Sequence, residues 1–210
     1  MHAISLLSRL LAVAGLLAFA SAPATFAQDK SDADIARLSL DAYRQWSAIS
    51  RGRTDFEISD PVRMPGLLGL AAEQGGCRYK EDIANFPVRF MKLEGRRLAF
   101  VFCPGVISSY QIFDLTDLRK PVLLALPFAV PPDGFGTATR PGSIRWVKEA
   151  SVFESERGSD VLPSSRVRHT YRFGPNGFVV VRVEVQQDGV GGWTTIWEAQ
   201  RWSPSPVNPN

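Results

Sequence analysis

Apolar and polar positions divide the chain into a helical front and a β-rich remainder. Within residues 31–50, Ile35, Leu38, Ala42, Trp46 and Ile49 recur at spacings of 3, 4, 4 and 3. That spacing predicts one apolar stripe on an amphipathic helix. Ser31 or Asp32 supplies an oxygen for the orphan amides at its start, and Arg51-Gly52 ends it. Residues 54–59 predict a short strand with Phe56 and Ile58 on one face. Residues 67–74 predict a short helix, closed by Gly75-Gly76.

From Phe86 onward the pattern has period two, the mark of strands. Residues 88–93 lead through Glu94-Gly95 into residues 97–103, a run closed by Pro104-Gly105. Both alternating sets of that run are apolar, so it predicts a strand covered on both faces. Such a strand belongs at the centre of a sheet system. Further strands are expected at 110–113, 122–126, 143–147 and 150–156. Residues 129–142 hold three prolines and three glycines and are expected to be irregular, with Phe135 as a contact residue.

Residues 165–187 predict a hairpin. Val167, His169, Tyr171 and Phe173 alternate with arginines and a threonine, and valines recur at 179, 181, 183 and 185. Pro175-Asn176-Gly177 suits a three-residue loop, with Gly177 left-handed. Pairing Gly174 with Phe178 then sets Tyr171 opposite Val181 and His169 opposite Val183. On the other face it sets Arg168 opposite Glu184 and Arg166 opposite Gln186. After a glycine-rich turn, residues 193–202 predict a last strand with Trp193, Thr195 and Trp197 on one face. The fold class expected is mainly β: an antiparallel β-sandwich or partly open barrel of about eight strands, preceded by one N-terminal amphipathic helix.

Composition adds a compartment. Arg9 is followed by an apolar run at 10–20 and small residues up to Ala27. The run is about half the length that spans a bilayer, so residues 1–27 are expected to be a cleaved export signal. The mature domain is expected at 28–202, with a proline-rich disordered tail at 203–210. No cysteine stands near the cleavage region, which excludes a lipoprotein anchor, and no later run approaches membrane length. The formal charge of +3 loses one basic residue with the signal and forms no block. Nucleic acid and anionic membrane surfaces gain no support. The localisation expected is periplasmic or secreted, and soluble. Cys77 and Cys103 are the only cysteines; in an oxidising compartment they are expected to pair. Their loop is worth about 3–4 kcal/mol in the chain-entropy view.

The chemistry on offer is sparse. His169 is the one histidine after the signal, so multi-histidine zinc sites are excluded. Placed opposite Val183, it reads as a packed core residue rather than the base of a nucleophile. No nucleophile elbow, phosphate loop or dinucleotide fingerprint occurs, so neither a cofactor nor a metal is expected. Asp133, Glu154, Glu156 and Asp160 are carboxylates that could pair in a hydrolase. Phe135, Trp193 and Trp197 are the binding candidates, as stacking surfaces for a sugar or peptide; the bland alternative for each is packing.

Several short strings resemble a family. They are Val101-Phe102-Cys103, Ser108-Ser109-Tyr110, Arg157-Gly158-Ser159-Asp160, Tyr171-Arg172-Phe173 with Phe178-Val179-Val180, and Trp193-Thr194-Thr195-Ile196-Trp197. Their order over residues 95–202 resembles an uncharacterised family of secreted bacterial proteins, a domain of unknown function. Where that family has a cysteine after the aspartate, this chain has Val161. The resemblance implies a periplasmic setting and supplies no catalytic residue.

The function expected is a non-enzymatic periplasmic binding or interaction module for an envelope component, peptide or protein. The alternatives are a carboxylate- or serine-based periplasmic hydrolase and a structural envelope protein.

Overall fold

A computed structural model describes residues 31–130, 134–158, 164–187 and 191–200. The expected export signal and tail lie outside these residues, as do Asp133, Asp160 and Val161. The described chain runs α1 (Asp32–Ser50), β1 (Phe56–Ile58), α2 (Gly66–Gln74), β2 (Val88–Leu93), β3 (Arg96–Cys103), β4 (Ser109–Asp114), β5 (Val122–Leu123), β6 (Leu126–Val130), β7 (Gly134–Ala138), β8 (Ser143–Val147), β9 (Val152–Gly158), β10 (Arg166–Gly174), β11 (Gly177–Gln186) and β12 (Thr194–Glu198). The protein is mainly β, as its alternation predicts. Its strands form three antiparallel sheets, ordered β1-β2-β3-β4-β5, β12-β11-β10-β9-β8 and β6-β7. None of them closes into a barrel among the described residues.

Strand β3 sits at the centre of the first sheet and is covered on both faces. Ala99, Val101 and Cys103 join one apolar cluster, with Phe90, Phe113 and the helices. Leu98 and Phe100 join the other, with Phe153, Tyr171, Phe178 and Val183 of the second sheet. The helix-side cluster takes the predicted stripe of α1: Ala42 and Ile49 are buried, and Ile35, Leu38 and Trp46 pack against it. Trp46 meets Phe56 and Phe90 edge-on at 5.5 and 5.6 Å. Cys77 and Cys103 are bonded, as expected of the two cysteines. The bond ties the segment after α2 to the end of β3. Beside it the Gln111 amide donates to the Gly75 carbonyl at 2.8 Å, which seats the end of α2 on β4.

Three local expectations need correction. Residues 122–126 are not one strand. Leu124 donates its amide to Ile112 O, the chain then leaves the sheet, and Leu126 begins β6 in a hairpin with β7. The stretch expected to be irregular therefore holds β7, entered at Gly134 with φ +115°. In the β10–β11 hairpin the register is right at the far end, where His169 faces Val183 and Arg168 faces Glu184, and wrong near the turn. Gly174 pairs Gly177 and Tyr171 pairs Val180, and an extra residue at Val181 restores the alternation. This bulge puts Phe178 inside and leaves Val179 54 % exposed. The reason is packing: Phe178 reaches Phe153, Tyr171 and Phe173, with ring centres 5.3, 6.0 and 4.9 Å away.

Candidate functional site

A cleft of about 270 Å³ opens where the first sheet runs past β8 and β9. Its floor follows from register. Glu57 on β1 lies opposite Arg89 on β2, Arg89 opposite Phe100 on β3, and Phe100 opposite Ile112 on β4. Antiparallel partners project to one face, so an acid, a base and an aromatic stand side by side. Met91 continues the floor inward, and Tyr110, opposite Phe102, closes one side. The facing wall is Ile144 and Trp146 of β8 with Phe153 of β9. Phe153 stacks on Phe100 at 5.4 Å and meets Trp146 at 4.6 Å. Asn85, Phe86 and Pro87 form the lip, where Phe86 stacks on Phe102 at 4.0 Å.

Electrostatics single out the same rung. Burial pushes the Tyr110 hydroxyl above the ordinary tyrosine range; Glu57 adds to the rise and Arg89 opposes it. Both charges thus act at the phenol. At the rim the Arg145 guanidinium is engaged by Glu154 at 2.5 Å. An apolar recess with a few convergent polar groups has the chemistry of a small-ligand site. Among the described residues Glu57 is the one carboxylate lining it, so these residues bring no carboxylate pair of the glycosidase kind into the cleft.

The residues singled out by sequence lie elsewhere. Phe135 and Trp197 meet edge-on at 5.1 Å and are 55 % and 37 % exposed. They clasp the β6–β7 hairpin to the second sheet. On the same hairpin Ala129, opposite Phe135, donates its amide to Nε2 of His169 at 3.0 Å. Trp193 is not on their face. An extra residue on β12, at Ile196, shifts the register between Val183 and Glu184, so Trp197 pairs Val183 while Thr195 pairs Glu184. Trp193 instead covers Arg168, whose guanidinium carbon lies 3.9 Å from its ring centre. The expected three-member face of Trp193, Thr195 and Trp197 is broken by that bulge.

Two of the three arginines of β10, Arg166 and Arg168, close on one carboxylate. Arg168 donates from Nε and Nη2 to Glu156 at 2.9 and 2.7 Å, and Arg166 reaches the other oxygen of Glu156 at 2.5 Å. Glu184, the partner expected for Arg168, is 4.0 Å away. Glu154 and Glu156, offered as hydrolase carboxylates, are thus ion-pair partners on the sheet face.

His169 is fully buried, as its position opposite Val183 predicts. Burial lowers it from 6.5 to about 4, the Ala129 amide acts to raise it and the Arg157 charge to lower it. Ser155 faces it across the β9–β10 ladder and is equally buried. A serine and a histidine therefore adjoin in the core, but Nε2 already accepts from Ala129 and neither residue lines the cleft. Tyr171, stacked beside His169 at 6.0 Å, is pushed up to about 12 by burial, against the neighbouring Ser155 hydroxyl and Arg157. Among the described residues no group of three or more His, Cys, Asp or Glu converges as metal ligands. Nor is any helix there long and apolar enough to cross a membrane.

Sequence reasoning missed Glu57, Arg89, Tyr110 and the β8 wall. One signal was present: Arg89 interrupts an otherwise apolar position in residues 88–91. The register that sets it beside Glu57 leaves no mark in the sequence. Compared with known proteins, the chain matches no family model, no curated protein and no solved structure.

Proposed function

We propose that the chain is an exported, non-enzymatic binding module of the periplasm, built on two facing five-stranded sheets as a β-sandwich. It holds an apolar group of an envelope component, peptide or protein in the cleft between β2–β3 and β8–β9. The observation that carries this reading is the rung Glu57–Arg89–Phe100 set against Trp146 and Phe153. Concavity, aromatic walls and polar groups of both signs coincide there. The disulfide and the export-like leader support the compartment, and the resemblance to secreted bacterial proteins of unknown function agrees with it.

Calorimetric titration of the purified exported protein with indole tests the reading. Indole binds the wild type, and Ile144→Trp, which narrows the half-buried wall, weakens binding at least tenfold. Absent binding, or binding indifferent to Ile144→Trp, contradicts the cleft as the site.

A further inference from the structure

Glu57 and Arg89 are direct antiparallel partners on exposed positions of the cleft floor. Opposite charges in that relation ordinarily close on one another. Several arginines near the cleft and on the sheet faces do close: Arg145 on Glu154, Arg166 and Arg168 on Glu156, and Arg96 on Asp114. No ion pair within 4 Å joins Glu57 to Arg89, or either to another described residue. The rung therefore offers one free carboxylate and one free guanidinium, side by side, at the mouth of an aromatic recess. Tyr110 lies within the field of both.

The complement of that arrangement is a molecule with an ammonium and a carboxylate on one carbon and an apolar side chain beside them. We propose that the cleft binds a free α-amino acid with a large apolar side chain. This rests on the cleft being the binding site and names its ligand class. Glu57 accepts from the ammonium. The planar fork of Arg89 donates to the carboxylate, a bidentate geometry that suits arginine better than lysine. The side chain enters against Phe100, Phe153 and Trp146, where an aromatic ring meets ring edges and faces. Size agrees. About 270 Å³ is at or below the small end of ligand sites, about 300–1,000 Å³, and holds about nine waters at roughly 30 Å³ each. That admits one phenylalanine or leucine. A chain terminus would use only half of the rung, the ammonium or the carboxylate.

The test is a calorimetric titration at neutral pH with four probes: L-phenylalanine, N-acetyl-L-phenylalanine, 2-phenylethylamine and indole. L-phenylalanine binds about tenfold or more tighter than either singly charged probe, since each lost charge-assisted hydrogen bond costs about that much. Glu57→Gln removes its advantage over N-acetyl-L-phenylalanine. Arg89→Gln removes its advantage over 2-phenylethylamine. Both residues are exposed, so neither variant disturbs the core, and the denaturant midpoint of each stays close to the wild-type value. If indole binds and L-phenylalanine is no tighter than the singly charged probes, the amino-acid assignment is overturned and the cleft remains a site. If N-acetyl-L-phenylalanine binds tightest, the ligand is a carboxyl terminus and the assignment is likewise overturned. If no probe binds, indole included, the cleft reading itself falls and takes this one with it.

Discussion

The Phe135–Trp197 pair and the recess around Phe100 and Phe153 are both aromatic, and they serve different ends. Phe135 and Trp197 come from a two-stranded hairpin and an edge strand, and their rings touch each other. They stand where the hairpin meets the second sheet, Phe135 directly opposite the Ala129 that bonds His169 and Trp197 opposite the Val183 that faces it. The recess draws on six strands from two sheets and is flanked by an unpaired acid and base. Exposed aromatics mark a clasp in one place. In the other, largely buried aromatics form walls, and the exposed charges mark the mouth. Concavity and unanswered charge distinguish the two, not the count of rings.

The widest expected gap between the regions is in stability. Phe153 is buried and its ring meets Phe100, Trp146 and Phe178. Phe153→Ala should cost about 3–5 kcal/mol and abolish indole binding. Trp197→Ala, at a part-exposed clasp, should cost about 1 kcal/mol and leave indole binding intact. Denaturant midpoints measure both. Equal losses would remove the distinction between wall and clasp.

The next effect lies beneath the clasp. An unfolded histidine takes its proton below about 6.5, whereas His169 resists until about 4. Between those values the unfolded chain binds more protons than the folded one, so stability falls as pH drops. The loss is complete near pH 4 and amounts to on the order of 3 kcal/mol. Among the described residues the groups facing the ring are Phe128 of β6, Ser155 and Arg157 of β9, and Tyr171 of its own strand; none of them is a carboxylate or a second histidine. His169→Gln keeps an acceptor for the Ala129 amide and should flatten the profile between pH 7 and 4. An unchanged slope in that variant would assign the acid sensitivity to carboxylates elsewhere.

A smaller effect separates the closed charges from the open ones. The Arg168 side chain is only 19 % exposed, holds Glu156 and lies under Trp193. Arg168→Ala should cost about 1–2 kcal/mol, more than an exposed ion pair, while Arg89→Gln changes the unfolding midpoint by less than about 0.5 kcal/mol. Thermal unfolding of the two variants side by side decides this, and matching losses would mean that the cleft rung is structural.

A further change is expected at the β10–β11 turn. Gly177 has φ +101° and an added Cβ would meet only Arg96 Nη1, at 3.9 Å. Gly177→Val is therefore strained by its backbone alone, by about 1 kcal/mol or more. A variant as stable as wild type would show that the turn relaxes.

Local pattern carried much of this fold. Residues 88–93 and 143–147 are strands with the bounds their alternation predicts: Val88 and Phe90 are buried around an exposed Arg89, and Ile144 and Trp146 are half-buried around an exposed Arg145. The run ending in Cys103 is central because both of its faces are apolar. What pattern does not carry is the single extra residue. The bulges at Val181 and Ile196 each reverse which side chains face inward, and they answer to the packing of Phe178 and Trp197 rather than to their own neighbours in sequence. The site suffers most from this. Glu57 and Arg89 are 32 positions apart, and only the β1–β2 register joins them. The break at Leu124 arises likewise, from a hydrogen bond to Ile112 on another strand.

The central claim, that the recess and not the exposed pair receives the ligand, is tested most directly by nuclear magnetic resonance. In ¹⁵N-labelled protein the indole N–H signals of Trp146 and Trp197 report the two regions separately. On addition of unlabelled indole, the Trp146 signal should shift in a saturable way while that of Trp197 stays in place. A saturable shift at Trp197 with Trp146 unmoved would contradict the account and return the site to the hairpin clasp.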